Sequence, residues 1–356
     1  MPSLAASAPA LAALSLAQGN PGHLIVLLVT IIVAVGFDFT NGFHDTANAV
    51  ATSISTRVLT PRQAIVMAAV LNFVGAFIST NVAKTIGTDI ASPAALTPMV
   101  VLAALVAAIG WNLITWYYGL PSSSSHALIG GLIGAAVVFA PTHFAVLDAG
   151  GILKVVLALI LSPIVGMVVA FLVGTAAVWI FRRSSPHQVT ATSTWLQRIA
   201  AAFVAFSHGS NDAQKTMGVI TAALLAYEGV SVGKEFAVPI WVIVLCATAM
   251  GLGTSFGGWR IIRTMGMRTV KMRALDGFAA QASAAGVILS ASAFGLPVST
   301  THVIAGSVMG VGARQRISAV RWGVAGNMVT AWILTGPITA VLAAVVVIVF
   351  HTVAAL

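Results

Sequence analysis

Two segments of this chain occur twice, in the same order. GLPSSSSHALIGG, Gly119–Gly131, returns 176 positions on as GLPVSTTHVIAGS, Gly295–Ser307, and NGFHD, Asn41–Asp45, returns 167 positions on as HGSND, His208–Asp212. A hydroxyl-rich element and an acidic element in each half constrain the fold to two repeats arranged about one central site, a plan found in membrane transporters.

The residues between these elements set the solvent. Of 356 residues, 59% are hydrophobic and only 7% charged, too few to cover a water-facing surface, so the chain belongs in a lipid bilayer. The formal charge of +9 would suggest nucleic acid in a soluble protein. Here Lys and Arg fall in short gaps between apolar runs, where they orient helices, and nucleic acid is excluded as a partner. The single cysteine, Cys246, rules out disulfides and thiolate metal sites and reads as packing. Residues 1–22, rich in Ala, Ser and Pro without a basic start, read as an external tail rather than a signal peptide.

Apolar stretches run near 24–52, 62–82, 97–118, 121–141 and 152–181, then 199–226, 236–257, 274–294, 297–313 and 321–350, five per half. The expected fold is an all-α polytopic membrane protein of about 10–12 segments, some of them broken helices or hairpins. With the N-terminus outside, inner gaps collect thirteen basic residues, from Arg57 to Arg321, and outer gaps hold Lys84, Lys154 and Lys234. That asymmetry places both termini outside, and an odd number of stretches per half makes the second repeat upside down relative to the first. The expected organisation is repeat 1 over 23–181, a cytoplasmic linker over 182–198 and repeat 2 over 199–350.

Asp38, Asp45, Asp212, Asp276 and Lys215 fall within or at the edges of apolar stretches. Each costs roughly 2.5–3.5 kcal/mol in hydrocarbon and so needs a cavity, a partner or an ion. Asp276, which follows the basic stretch Arg268–Arg273, reads equally as a functional acid or as a helix cap or structural pair at the membrane edge. Asp45 and Asp212 occupy equivalent repeat positions among Gly and Asn residues suited to an unwound helix, which marks them as functional. In the other element, Pro121 and Pro297 end what precedes them, and Ser122–Ser125 or Ser299–Thr301 then stand where a helix begins. Free N–H groups and hydroxyls at a helix start bind anions, and two inverted starts would make a donor cage for a small tetrahedral oxyanion. His126 and His302, which follow, read as orienting groups, proton carriers or packing.

A phosphate-like dianion would be repelled by Asp45 and Asp212, and Lys215 alone does not balance both. A cation must therefore enter with it: a proton, sodium or a divalent metal. Each ligand then favours the other by the same free energy. No resident cofactor is expected.

With these elements in hand, the chain resembles the inorganic phosphate transporter (PiT) family, bacterial low-affinity type. NGFHDTANAVATSISTRVLTPRQA from Asn41, SHGSNDAQKTMG from Ser207 and the paired GLP(S/V)S(S/T)(S/T)H elements carry the resemblance, over roughly 24–350. It implies a cation-coupled symporter of the plasma membrane, the bacterial inner membrane, importing phosphate. It also implies an anion side of Ser123, Ser124, Ser125, Ser299, Thr300 and Thr301 with Asn41, Asn211 and Lys215. The cation side is Asp45 and Asp212, the ligands of any metal or sodium ion, with Asn48, His44, Asp38, Asn72 and Gln281. Asn72 and Gln281 stand where animal sodium-coupled members carry glutamates, and fewer carboxylates mean fewer sodium ligands. Proton coupling follows, with His44 able to titrate in the useful range and magnesium or calcium carried as a metal–phosphate complex. A sodium-coupled phosphate symporter and a sulfate carrier of the same family are the nearest alternatives.

Two other classes fit less well. An intramembrane serine hydrolase would need one activated serine in an elbow such as Gly-x-Ser-x-Gly, which this chain lacks, and a passive anion channel would not need paired acids. The Gly-rich stretches Gly251–Gly258 and Gly306–Gly312 suit close helix packing, by default within one chain, and leave monomer or homodimer open.

Overall fold

The computed structural model describes residues 21–92, 95–140, 143–229 and 236–354, which are helical almost throughout and form no strand. Most of the tail at 1–22, together with Lys234 and Glu235, lies outside the described residues. In chain order the helices are α1 (Pro21–Ser55), α2 (Pro61–Gly75), α3 (Asn81–Thr88), α4 (Pro98–Tyr118), α5 (Ser124–Phe139) and α6 (Ala149–Phe181), then α7 (Pro186–Glu228), α8 (Ile240–Phe256), α9 (Trp259–Arg263), α10 (Ala274–Ala293), α11 (Thr300–Gln315) and α12 (Trp322–Ala354).

Local chemistry explains where several helices start. Thr60, Thr97, Asp148 and Ser185 cap the starts of α2, α4, α6 and α7, with proline in the first turn of α2, α4 and α7. Helix α3 lacks a cap of its own and takes one from afar: Oε1 of Gln214, on α7, accepts from Val82 N at 2.9 Å and Ala83 N at 3.4 Å. Helices α1, α4, α6, α10 and α12 are long and apolar enough to cross a membrane, and α8, with α9 and a π turn to Arg268, is apolar enough for a broken span or a re-entrant loop, bent by 62°. Helices α5 and α11, with 16 residues each, are about 24 Å long and fall short of a hydrocarbon core of about 30 Å. The stretch expected at 62–82 divides into α2 and α3, and the join at 182–198 is a tight turn at Arg182–Ser185 leading straight into α7.

The halves interlock. Helix α2 packs on α7 while α8 packs on α1; α6 packs on α10 and α11 while α12 packs on α4 and α5. Glycines set how closely. A Cβ on Gly306 or Gly310 of α11 would run into the backbone of Pro163 or Met167 on α6, and one on Gly253 of α8 into Phe39 on α1. Both Gly-rich stretches thus pack within one chain.

Candidate functional site

The two hydroxyl-rich elements fold alike. Helix α4 ends on Gly119 at φ +66°, α10 runs out to Gly295 at φ +67°, and a short extended turn then leads to Ser123 or Ser299 as N-cap of α5 or α11. Left-handed φ is where glycine alone costs nothing. Ser123 accepts from His126 N at 3.2 Å and Ser299 from His302 N at 3.3 Å. The two helix starts meet, with Ser125 Oγ donating to Val298 O at 3.4 Å.

The acidic elements arrive differently from expectation. Rather than unwinding, α1 and α7 pass through Asp45 and Asp212 as continuous helices. The glycines beside the acids serve close packing instead: a Cβ on Gly42 would strike Met250 O of α8, and one on Gly209 would strike Asn72 of α2.

Around Asp45, Oδ1 meets Nδ1 of His44 at 2.6 Å and Oδ2 accepts from Ser124 at 3.2 Å. His44 Nε2 continues to Thr115 Oγ1 at 3.1 Å, to which Ser122 also donates at 2.7 Å. Around Asp212, Oδ2 accepts from Thr300 at 3.0 Å and lies 3.1 Å from His208 Nε2, while Oδ1 takes the ammonium of Lys215. Lys215 also reaches Ser125 Oγ and Val298 O, and Asn48 Nδ2 donates to Thr301 at 2.9 Å and Thr300 at 3.3 Å. Ligand atoms of Asp45, His208 and Asp212 lie within 4.8 Å of one another, a set able to hold one hard cation. All of these side chains are buried, so the cluster is closed to solvent in this conformation.

Of the residues singled out in the sequence, Asp45, Asp212, His44, Asn48, Lys215, Ser124, Ser125, Thr300 and Thr301 are joined by these bonds. Ser123 and Ser299 stand beside them as caps. Asn41 is buried with neither amide atom partnered, and Asn48 and Asn211 each keep a buried unpartnered Oδ1, acceptors and donors that a bound ligand would satisfy. Asn72 enters one step out, through His208. Asp38 instead accepts from Thr216, and Gln281 bonds Gln197 and Ala49 O. Asp276 is a cap and a pair: its carboxylate accepts from Arg273 N and holds Arg314 at 2.8 Å. His126 and His302 lie against each other at a tilt of 35° with ring centroids 4.6 Å apart, and His302 stacks on Trp332 at 4.0 Å. Their rings line an apolar cleft of about 570 Å³ with residues of α6 and α12. His208, Thr115 and Ser122 were not singled out as site residues. His208 had a signal, standing four residues before Asp212 on the same helix face; Thr115 had none.

The comparisons with known proteins agree with one another. The chain matches the model of the phosphate transporter family over residues 41–343. It is 50% identical over 324 residues to a probable low-affinity inorganic phosphate transporter of Bacillus subtilis, covering 90% of this chain and 96% of that one. A protein of the same description from Rhizobium meliloti is 48% identical, covering 90% and 95%. Among solved structures, one described as the sodium-dependent phosphate transporter superposes with a TM-score of 0.82 at 26% identity, covering 92% of this chain and 99% of that one.

Proposed function

The chain belongs to the phosphate transporter family, an integral membrane protein rather than an enzyme, and from that premise we propose that it is a symporter importing inorganic phosphate with a cation. The observation that carries this reading is the pairing of each carboxylate with a helix-start hydroxyl, Ser124 on Asp45 and Thr300 on Asp212. Anion donors and acids share one closed cluster. Two like unit charges about 5 Å apart repel by roughly 3 kcal/mol at an effective dielectric constant near 20. A dianion beside two carboxylates meets that cost more than once, and Lys215 supplies a single compensating charge. A cation bound at Asp45 removes much of the remainder, so anion and cation raise each other's affinity equally.

The coupling ion in this reading is the proton, with magnesium or calcium accepted as a metal–phosphate complex. Support comes from the chain of exchangeable hydrogens running from Asp45 through His44 to Thr115 and Ser122, and from the neutral Asn72 and Gln281. Sodium is the second reading, favoured by the sodium dependence of the structural relative and by the carboxylate oxygens of Asp45 and Asp212.

Labelled phosphate uptake into proteoliposomes decides between them, with a pH gradient, a sodium gradient and magnesium varied separately and sulfate as competitor. Proton-driven, magnesium-enhanced uptake unaffected by sulfate is the expected result. Uptake driven by sodium alone overturns the proton assignment, and strong sulfate competition overturns the substrate.

A further inference from the structure

The surroundings of Asp45 and Asp212 correspond at the helix-start hydroxyl and at the position three residues on, where charge is exchanged, while their histidines come from different positions, His44 beside Asp45 and His208 four residues before Asp212. Ser124 donates to Asp45 at 3.2 Å as Thr300 donates to Asp212 at 3.0 Å, and these two hydroxyls are 176 positions apart, as the repeats are. Three residues beyond each acid, a side chain reaches to the helix start of the other half. Asn48 donates to Thr301 at 2.9 Å, and Lys215 donates to Ser125, the repeat equivalent of Thr301. At this matched position one half carries a neutral amide and the other an ammonium.

The ammonium is fully engaged. Nζ meets a carboxylate oxygen of Asp212, the hydroxyl of Ser125 and the carbonyl of Val298, the last at 3.0 Å, and a lysine has three N–H donors. None is left for an incoming anion in this arrangement. A carboxylate, a hydroxyl and a carbonyl converging on one point are also the ligand set of a hard monovalent cation. In the Asp45 half no lysine fills that place, and Oδ1 of Asn48 is buried without a partner.

We propose that Lys215 is a tethered cation, occupying one of two repeat-related cation positions, so that only the Asp45 side takes its cation from solution. The proposal rests on the cation-coupled reading given above. It identifies Lys215 as the residue that sets how many free cations accompany each anion, and it predicts that Lys215→Asn, which restores the residue found at position 48, opens a second position to sodium.

The test compares wild type, Lys215→Asn and Lys215→Gln as purified full-length chains. Thermal unfolding is followed with added sodium chloride, with choline chloride matching ionic strength, and phosphate uptake is measured in proteoliposomes under the same salts. The expected result is a sodium-specific rise in unfolding temperature that is larger in the variants than in wild type, and roughly tenfold more uptake by the variants in sodium than in choline. An unfolding temperature and uptake whose sodium response equals that of wild type overturn the proposal. If the variants fold only when prepared in sodium the proposal stands, and if they fail in sodium and choline alike it falls. Wild-type uptake indifferent to every cation gradient would instead defeat the symport reading, and the unfolding comparison would still report on Lys215.

Discussion

Asn72 sets which ring nitrogen His208 turns toward Asp212. Thr254 gives its hydroxyl hydrogen to Met250 O at 2.8 Å, so its oxygen accepts from Asn72 Nδ2, also at 2.8 Å. That turns Oδ1 of Asn72 to Nδ1 of His208, 3.1 Å away, and makes Nδ1 the donor. Nε2 is then the nitrogen that faces Asp212 Oδ2, 3.1 Å away. This nitrogen and the carboxylate are two of the three ligand atoms that a shared cation would use at the cluster of Asp45, His208 and Asp212.

Removing the group that orients this ring should therefore weaken cation use rather than abolish the fold. For Asn72→Ala we expect the cation concentration giving half-maximal uptake to rise by about 10-fold or more. Phosphate uptake titrated with the coupling cation measures it, and an unchanged midpoint would separate Asn72 from the site.

Asp45→Asn and Asp212→Asn should each reduce gradient-driven uptake by about two orders of magnitude, since roughly 3 kcal/mol of charge compensation is lost. Circular dichroism and gel filtration establish that the variants fold. Intact coupled uptake in either variant would remove that carboxylate from the coupling role.

Gly306→Ala places a methyl group against the backbone of Pro163, which has no side-chain freedom to yield. The expected cost is about 1–3 kcal/mol, seen as a lower unfolding temperature in detergent. Unchanged stability would mean that α6 and α11 can part without loss.

Asp276→Asn separates stability from transport. The carboxylate caps α10 and holds Arg314 and Gln315, and makes no bond to the acid cluster, so its loss should cost about 1–3 kcal/mol while leaving the ion dependence of uptake as in wild type. A shifted ion dependence would show that this pair communicates with the transport site.

Much of this arrangement is legible in the sequence for physical reasons. Hydrocarbon tolerates so few charges that Asp45, Asp212 and Lys215 stand out against their surroundings, and a proline shortly before a run of hydroxyl residues, as at Pro121 and Pro297, marks a helix start. The misreading at the acids has an equally physical source. Glycine loosens a helix when alone, yet admits a neighbouring backbone when one is at hand, and nothing local tells the two apart at Gly42 and Gly209. Long-range capping is hidden for the same reason: Gln214 closes α3 from more than a hundred residues away. At Asp276 the sequence leaves a functional acid and a structural one equally open, and the contacts are those of a cap and an ion pair.

The continuity of α1 and α7 limits how the molecule can move. Asp45 is fastened to α5 through Ser124 and Asn48 to α11 through Thr301, while Lys215 fastens α7 to α5 and Thr300 fastens α11 to α7. Each long rod is thus latched to the helix starts of both halves, so in this conformation the two sequence repeats are tied together through the cluster rather than meeting as separate bodies. Any hinge that exposes this cluster to one side and then the other must cut across the repeats, carrying pieces of both on each side of the seam.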